Sequence, residues 1–321
     1  KDTVSVDYYV TKENEIISKK YYSETVRIIE EFESLFGSYP FPKDGLAFIE
    51  SPFSGMEHQS AIAIGNEYEN QSSYATVGDH DLLVVHETAH EWWGNSISVG
   101  DMADLWIHEG FATYAEHLFI EKVYGKEEYL NFVGNNMFEI SNIWPVIGAK
   151  DVNDNSAQGG DIYYKGAATL HSLRCIFDDD FIFFKMIKDF YKQNKLKIVN
   201  TEDFTSHAQS YTKNNLSPFF QVFLHQSSPP ILEYAFVHKR KKLSLSYKWV
   251  NVPKGFEMPV LIVTNGGHTK RLNCSSEEKW ISGKNISDFY FYTPNNMDVR
   301  LDTKNSFTYF HSKLNEYIEN K

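Results

Sequence analysis

The stretch HDLLVVHETAHEWWGN, residues 80–95, decides how the rest of the chain is read. Its pattern predicts one helix ending near Gly94 and Asn95, with His86 and His90 four positions apart. Positions i and i+4 share a helix face, so both imidazoles can reach a single ion. Glu87 lies one position on, beside such an ion rather than on it, which suits a general base acting on water. The motif sits among Leu82, Leu83, Val84, Val85, Trp92 and Trp93. A helix apolar on most sides is buried, and two buried histidines with two glutamates need a partner. A metal ion supplies one. The bland alternative for HExxH alone is an exposed polar helix face.

Downstream, a second helix is predicted over 104–123, containing LWIHEGFATYAEH (105–117). Its Glu109 falls nineteen residues after His90. Two histidines and one carboxylate leave a fourth position open for water, the donor set of a catalytic zinc site. His86, His90 and Glu109 are therefore the expected ligands of one Zn2+ ion. Glu116 lies seven residues beyond Glu109, two turns along the same face. It can accept a hydrogen bond from a ligand imidazole and fix its tautomer, or it can be a surface carboxylate. Helix geometry points His108 and His117 elsewhere, and they are read as structural.

Upstream, residues 1–12 alternate like a strand, and 19–36 carry Tyr22, Val26, Ile29, Phe32, Leu35 and Phe36 at helical spacing. Two strands, 45–51 and 60–64, flank SPFSGMEHQ. Further helices are expected over 126–142, 163–178, 180–193 and 201–211. Near SSPP (227–230) the pattern changes to short alternating runs, LSLSYKW, MPVLIV, KRLNC, DFYFYT and DVRLD, with Asn/Gly turns between them. That is the signature of a small β-sandwich.

The composition fits a globular protein with a sizeable core: 321 residues, 42% hydrophobic, with 20 Tyr and 24 Phe. A formal net charge of -12 argues against a nucleic-acid partner. No apolar run is long enough to span a bilayer. Two distant cysteines, Cys175 and Cys274, exclude a disulfide framework and are read as buried thiols.

Four separated motifs in one order give the sequence a family resemblance. FGSYPFPKDGLAFIESPFSGMEH (36–58), HETAH (86–90) with EGFA (109–112), EWWGN (91–95) and YYKG (163–166) resemble the gluzincin metallopeptidases, in particular the aminopeptidase N family. The resemblance covers roughly residues 25–228. It implies an α+β, thermolysin-like, mainly helical catalytic domain over 1–230, followed by a β-sandwich over 231–321. It also implies an N-terminal β domain upstream that packs on the catalytic domain, with residues 1–12 as its tail. Tyr163 matches the family tyrosine that donates to the oxyanion, with Tyr164 the rival. Glu57 matches the glutamate that grips the substrate's α-ammonium, within Gly55, Met56, Glu57 and His58. The family usually has Asn where His58 stands, which puts fine substrate positioning in question. Gly55 would let the substrate backbone approach closely. The expected function is zinc-dependent aminopeptidase activity on peptides with a free N-terminus, in a bacterial periplasmic or secreted setting. The alternatives are an endopeptidase or epoxide hydrolase on the same site, and a catalytically weak binding fragment.

Overall fold

The computed structural model describes residues 3–65, 68, 76–77, 80–152, 159–239, 242–263, 269–283 and 290–292. It begins with strand β1 (Val6–Tyr9), helices α1 (Glu15–Tyr21) and α2 (Thr25–Phe36), and strands β2 (Leu46–Ser51), β3 (Gly55–Met56) and β4 (Ala61–Gly65). These strands form one sheet in the order β1-β2-β4-β3. β1, β2 and β4 are parallel neighbours, while β3 returns antiparallel along β4, pairing Gly55 with Ile64 and Met56 with Ala63. A parallel pair needs a crossover, and α1 and α2 supply it between β1 and β2. The segment 1–12, read as strand-like from its alternation, supplies the outer strand of this sheet, with Val6–Tyr9 in register with Leu46–Ile49. The single helix expected over 19–36 is broken by a 3₁₀ turn at Tyr22–Glu24, and Val26, placed on its apolar face, is exposed.

The short pair β5 (Thr76–Val77) and β6 (His80–Asp81) leads into α3 (Leu82–Ala89), then β7 (Ile97–Val99) and α4 (Trp106–Tyr124). Every residue of α3 is buried, and the Asp81 carboxylate caps it by accepting the Leu83 amide at 2.9 Å. This helix stops sooner than the sequence predicts: His90 is already its C-terminal cap. Beyond it the amides of Asn95, Ser96 and Ile97 bond the carbonyls of His90, Glu91 and Trp92, folding the chain back. The chain leaves the helix through Gly94 at φ 138°, a conformation open to glycine, and both indoles before it are fully buried, against Phe32 and Phe36 of α2. Trp92 also donates to the Gly37 carbonyl at 2.9 Å.

Helices α5 (Lys126–Asn136), α6 (Tyr164–Phe177), α7 (Asp180–Asn194), α8 (Thr201–Gln209) and α9 (Ser217–His225), with strand β8 (Lys197–Val199) before α8, complete the helical part. The sequence pattern did not predict α9 or the parallel pair β7–β8. Strands β9 (Ile231–Lys239), β10 (Lys242–Val250), β11 (Glu257–Val263), β12 (Thr269–Ser275), β13 (Lys279–Gly283) and β14 (Tyr290–Tyr292) follow. They form two antiparallel sheets, β13-β10-β9 and β12-β11-β14. β9 and β13 were not among the expected runs, and DVRLD lies outside the described residues. The apolar core continues across the change of structure, with Leu245, Trp249, Phe256 and Val260 in the same buried cluster as Leu170 and Phe223. Both cysteines are free thiols, Cys274 buried and Cys175 partly so. Among the described residues no helix is long and apolar enough to cross a membrane.

Helices α4 and α6 touch backbone to backbone. A Cβ added to Gly110 would lie 2.8 Å from the Gly166 Cα, and one on Gly166 would lie 2.9 Å from the Gly110 Cα. Neither position has room for a methyl group. Gly166→Ala should therefore cost about 1–3 kcal/mol of stability in urea unfolding; a change within about 0.5 kcal/mol, the range of an ordinary surface substitution, would mean the helices part freely.

His117 is fully buried and accepts from the Asn136 amide at 2.9 Å. Burial, with His171 nearby, lowers its pKa from 6.5 to about 3. The unfolded chain thus binds the extra proton first as pH falls. The neutral-histidine contribution is complete above pH 6.5 and is lost between there and about 3, at up to about 1.4 kcal/mol per pH unit. Stability measured at pH 7 and pH 5 should fall more steeply for the unaltered chain than for His117→Gln, and equal slopes would refute this assignment.

Candidate metal centre

α3 and α4 bring His86, His90 and Glu109 together. The two Nε2 atoms are 3.1 Å apart, and Glu109 Oε2 lies 3.3 Å from His86 Nε2 and 3.4 Å from His90 Nε2. Each ring is fixed through its other nitrogen. His90 Nδ1 is 2.9 Å from the Trp93 carbonyl, which can only accept, so Nδ1 carries the proton. His86 Nδ1 meets Glu116 Oε1 at 2.7 Å. In the neutral rings both Nε2 lone pairs therefore face each other, an arrangement that no hydrogen bond between them satisfies. A cation resolves it. Tetrahedral bonds of about 2.0–2.1 Å from zinc to nitrogen and oxygen put donor atoms about 3.3–3.4 Å apart, which matches this triangle.

Glu87 is buried, and its Oε2 has no hydrogen-bond partner among the described residues. Burial raises its pKa to about 6, against the pull of His86 and His90 and with help from Glu57 and Glu109. Burial also pushes Glu109 upward, but the two imidazoles outweigh it and hold the carboxyl well below its ordinary range. Glu57 joins Glu87 and His90 in a second group whose donor atoms all lie within 4.8 Å of one another.

Gly55 has no room for a side chain. A Cβ on it would stand 2.4 Å from Glu87 Oε1 and 2.8 Å from Leu83 Cδ1. The group that approaches its backbone is the protein's own carboxylate. Met56 and His58 are exposed, and His58 belongs to neither donor group.

Tyr163, the residue before α6, stacks on His86 with ring centroids 6.0 Å apart. Burial and the carboxylates of Glu109 and Glu57 push its hydroxyl pKa upward. Tyr164 turns away and packs beside Tyr129, Val133 and Met137. His108 accepts the Val99 amide at 3.1 Å, and burial lowers its pKa to about 4. Lys165 donates to the main-chain carbonyls of Gln226 and Ser227 at 2.8 and 3.0 Å. Glu91 and Asn95, present in EWWGN but given no role from sequence, lie against the loop that carries Glu57.

Two histidines one helical turn apart and a carboxylate from the next helix form the donor set of zinc metallopeptidases, with the glutamate next to the first histidine standing beside the ion. The chain belongs to peptidase family M1, whose domain model matches residues 21–223. It is 24% identical to aminopeptidase N of Lactococcus lactis over 315 residues, covering 92% of this chain and 36% of that protein. Its fold is similar to that of Legionella pneumophila aminopeptidase A, solved in complex with aspartic acid, at a TM-score of 0.71 and 18% identity, over 92% of this chain and 36% of that one. A mutant M1 zinc metallopeptidase from Deinococcus radiodurans gives a TM-score of 0.54 at 20% identity, over 69% of this chain and 48% of that one. The chain thus spans about a third of the length of the Lactococcus relative.

Glu116 holds His86 rather than the ion. Glu116→Ala should weaken zinc binding about 10- to 100-fold in competition with a chelator while leaving the fold intact. Unchanged affinity would mean that the 2.7 Å contact contributes nothing to ligand geometry.

Proposed function

We propose that this chain is the catalytic part of a zinc aminopeptidase, with a thermolysin-like unit over 1–230 and a β-sandwich over 231–321. The observation that carries this reading is the placement of Glu57, whose carboxylate lies within 4.8 Å of the donor atoms of Glu87 and His90. A carboxylate there rewards substrates that bring a terminal ammonium next to the reacting carbonyl, which is what separates an exopeptidase from an endopeptidase.

His86, His90 and Glu109 would hold a zinc ion, and such an ion would supply the Lewis acidity that makes water a nucleophile near neutral pH. Glu57 accepts the substrate's ammonium and sets the first peptide bond over the site. Glu87 Oε2, buried without a protein partner, takes a proton from the attacking water. Tyr163 donates its hydroxyl proton as a hydrogen bond to the carbonyl oxygen as charge develops there, an interaction made mainly in the transition state. Its raised pKa keeps that proton in place. Glu87 then delivers its proton to the departing amine.

Aminoacyl fluorogenic amides with free and acetylated N-termini, assayed on the full-length protein, test this assignment. Cleavage should require zinc and a free amine. Glu87→Gln should lose about 10²–10⁴-fold in rate, and Tyr163→Phe about 10²–10³-fold in kcat with little change in KM. Equal cleavage of acetylated substrates would remove the role of Glu57 and favour an endopeptidase.

A further inference from the structure

The loop that presents Glu57 is held by two side chains of the metal-binding segment. Asn95 Nδ2 donates to the main-chain carbonyl of Glu57 at 2.9 Å and lies 3.4 Å from Glu91 Oε1. The same Glu91 oxygen accepts the Ser60 amide at 2.7 Å. Glu91 Oε2 lies 2.9 Å from the Tyr39 hydroxyl, itself 2.9 Å from the Gly45 carbonyl. Between these anchors the loop turns twice, with the His58 amide bonding the Met56 carbonyl and the Ala61 amide bonding the His58 carbonyl. Ser60 sits at φ 57°, a left-handed conformation that residues with a side chain seldom adopt unless their surroundings impose it. Its amide is held by Glu91 and its carbonyl by the Ala47 amide at 2.9 Å.

Glu91 follows the ligand His90 directly, and it is fully buried. The clamp therefore ties the loop to the segment that carries the metal ligands. We propose that Glu91 and Asn95 are positioning residues for the substrate's amine: Asn95 holds the Glu57 carbonyl and Glu91 the Ser60 amide, the two ends of the turn that follows Glu57, and so they set where its carboxylate stands relative to Glu87 and His90. This rests on reading Glu57 as the ammonium acceptor. The ammonium keeps its charge throughout the reaction, so its contact is equally strong in ground and transition states. Loss of that alignment belongs in KM rather than kcat.

Two measurements on Asn95→Ala, Glu91→Ala and Glu91→Gln test the clamp. The first is hydrogen exchange of the Ser60 amide, and the second is KM and kcat for a free-amine aminoacyl amide, with zinc affinity measured on the same samples. Asn95→Ala should raise KM about five- to thirty-fold, the effect of losing one or two ordinary hydrogen bonds, with kcat and zinc affinity held. Glu91→Ala should speed Ser60 exchange and raise KM. Glu91→Gln should recover most of both losses, because its amide oxygen can accept from Ser60 and its NH₂ can donate to Tyr39. Unchanged Ser60 exchange in Glu91→Ala, or an Asn95→Ala variant whose kcat falls at constant KM, would overturn the proposal. If the unaltered protein cleaves free and acetylated substrates equally, the aminopeptidase reading fails first and the role of the clamp falls with it, an outcome visible before any variant is made.

Discussion

Two imidazole lone pairs held 3.1 Å apart in a buried setting are the constraint on which the rest of this structure depends. Each is aimed by a partner on its far nitrogen, the Trp93 carbonyl for His90 and the Glu116 carboxylate for His86. Those partners in turn need their own supports. The Trp93 carbonyl is in place because the chain leaves α3 in a tight fold-back that buries two indoles. Glu116 is in place because α4 presents Glu109 and Glu116 along one face, two turns apart. The metal triangle is thus the meeting point of a helix end, a helix face and the aromatic packing beneath them.

The second organising contact is the glycine pair between α4 and α6. Gly110 follows Glu109, and Gly166 lies three residues after Tyr163. Because the two backbones touch there, a metal ligand and the proposed oxyanion donor are registered against each other by contact between main chains. Such a contact leaves less slack than interlocked side chains would. The same crossing turns Tyr163 toward His86 and leaves Tyr164 to pack with Tyr129 and Met137.

Much of the site was legible in the sequence because its parts have fixed spacing. The i, i+4 histidines, the carboxylate on the next helix and the two-turn offset to Glu116 are statements about helix geometry, and helix geometry survives in the fold. What was missed depends on contacts between distant segments. Pattern alone extended α3 through EWWGN, since Trp92 and Trp93 suit a buried helix as well as they suit the turn that the amides of Asn95, Ser96 and Ile97 make after His90. The strands of the β7–β8 pair have three residues each, and they join segments far apart in sequence, Ile97–Val99 with Lys197–Val199. The close contact between Gly55 and Glu87 was not legible, because the carboxylate beside that glycine comes from a different element, α3. Asn95 and Glu91 stood inside a quoted motif, yet their partners Glu57, Ser60 and Tyr39 are 31 to 52 positions away in sequence.

The contact between Gly55 and Glu87 carries one more consequence. A carboxylate pressed so closely against a neighbouring strand that no methyl group fits between them has little freedom to swing among rotamers. The conformational entropy that a flexible glutamate would lose on entering the reaction has already been given up in folding. Its idle oxygen points in a nearly fixed direction, so in the proposed reaction the proton's outward and return journeys would cover the same short path without the base having to search for it.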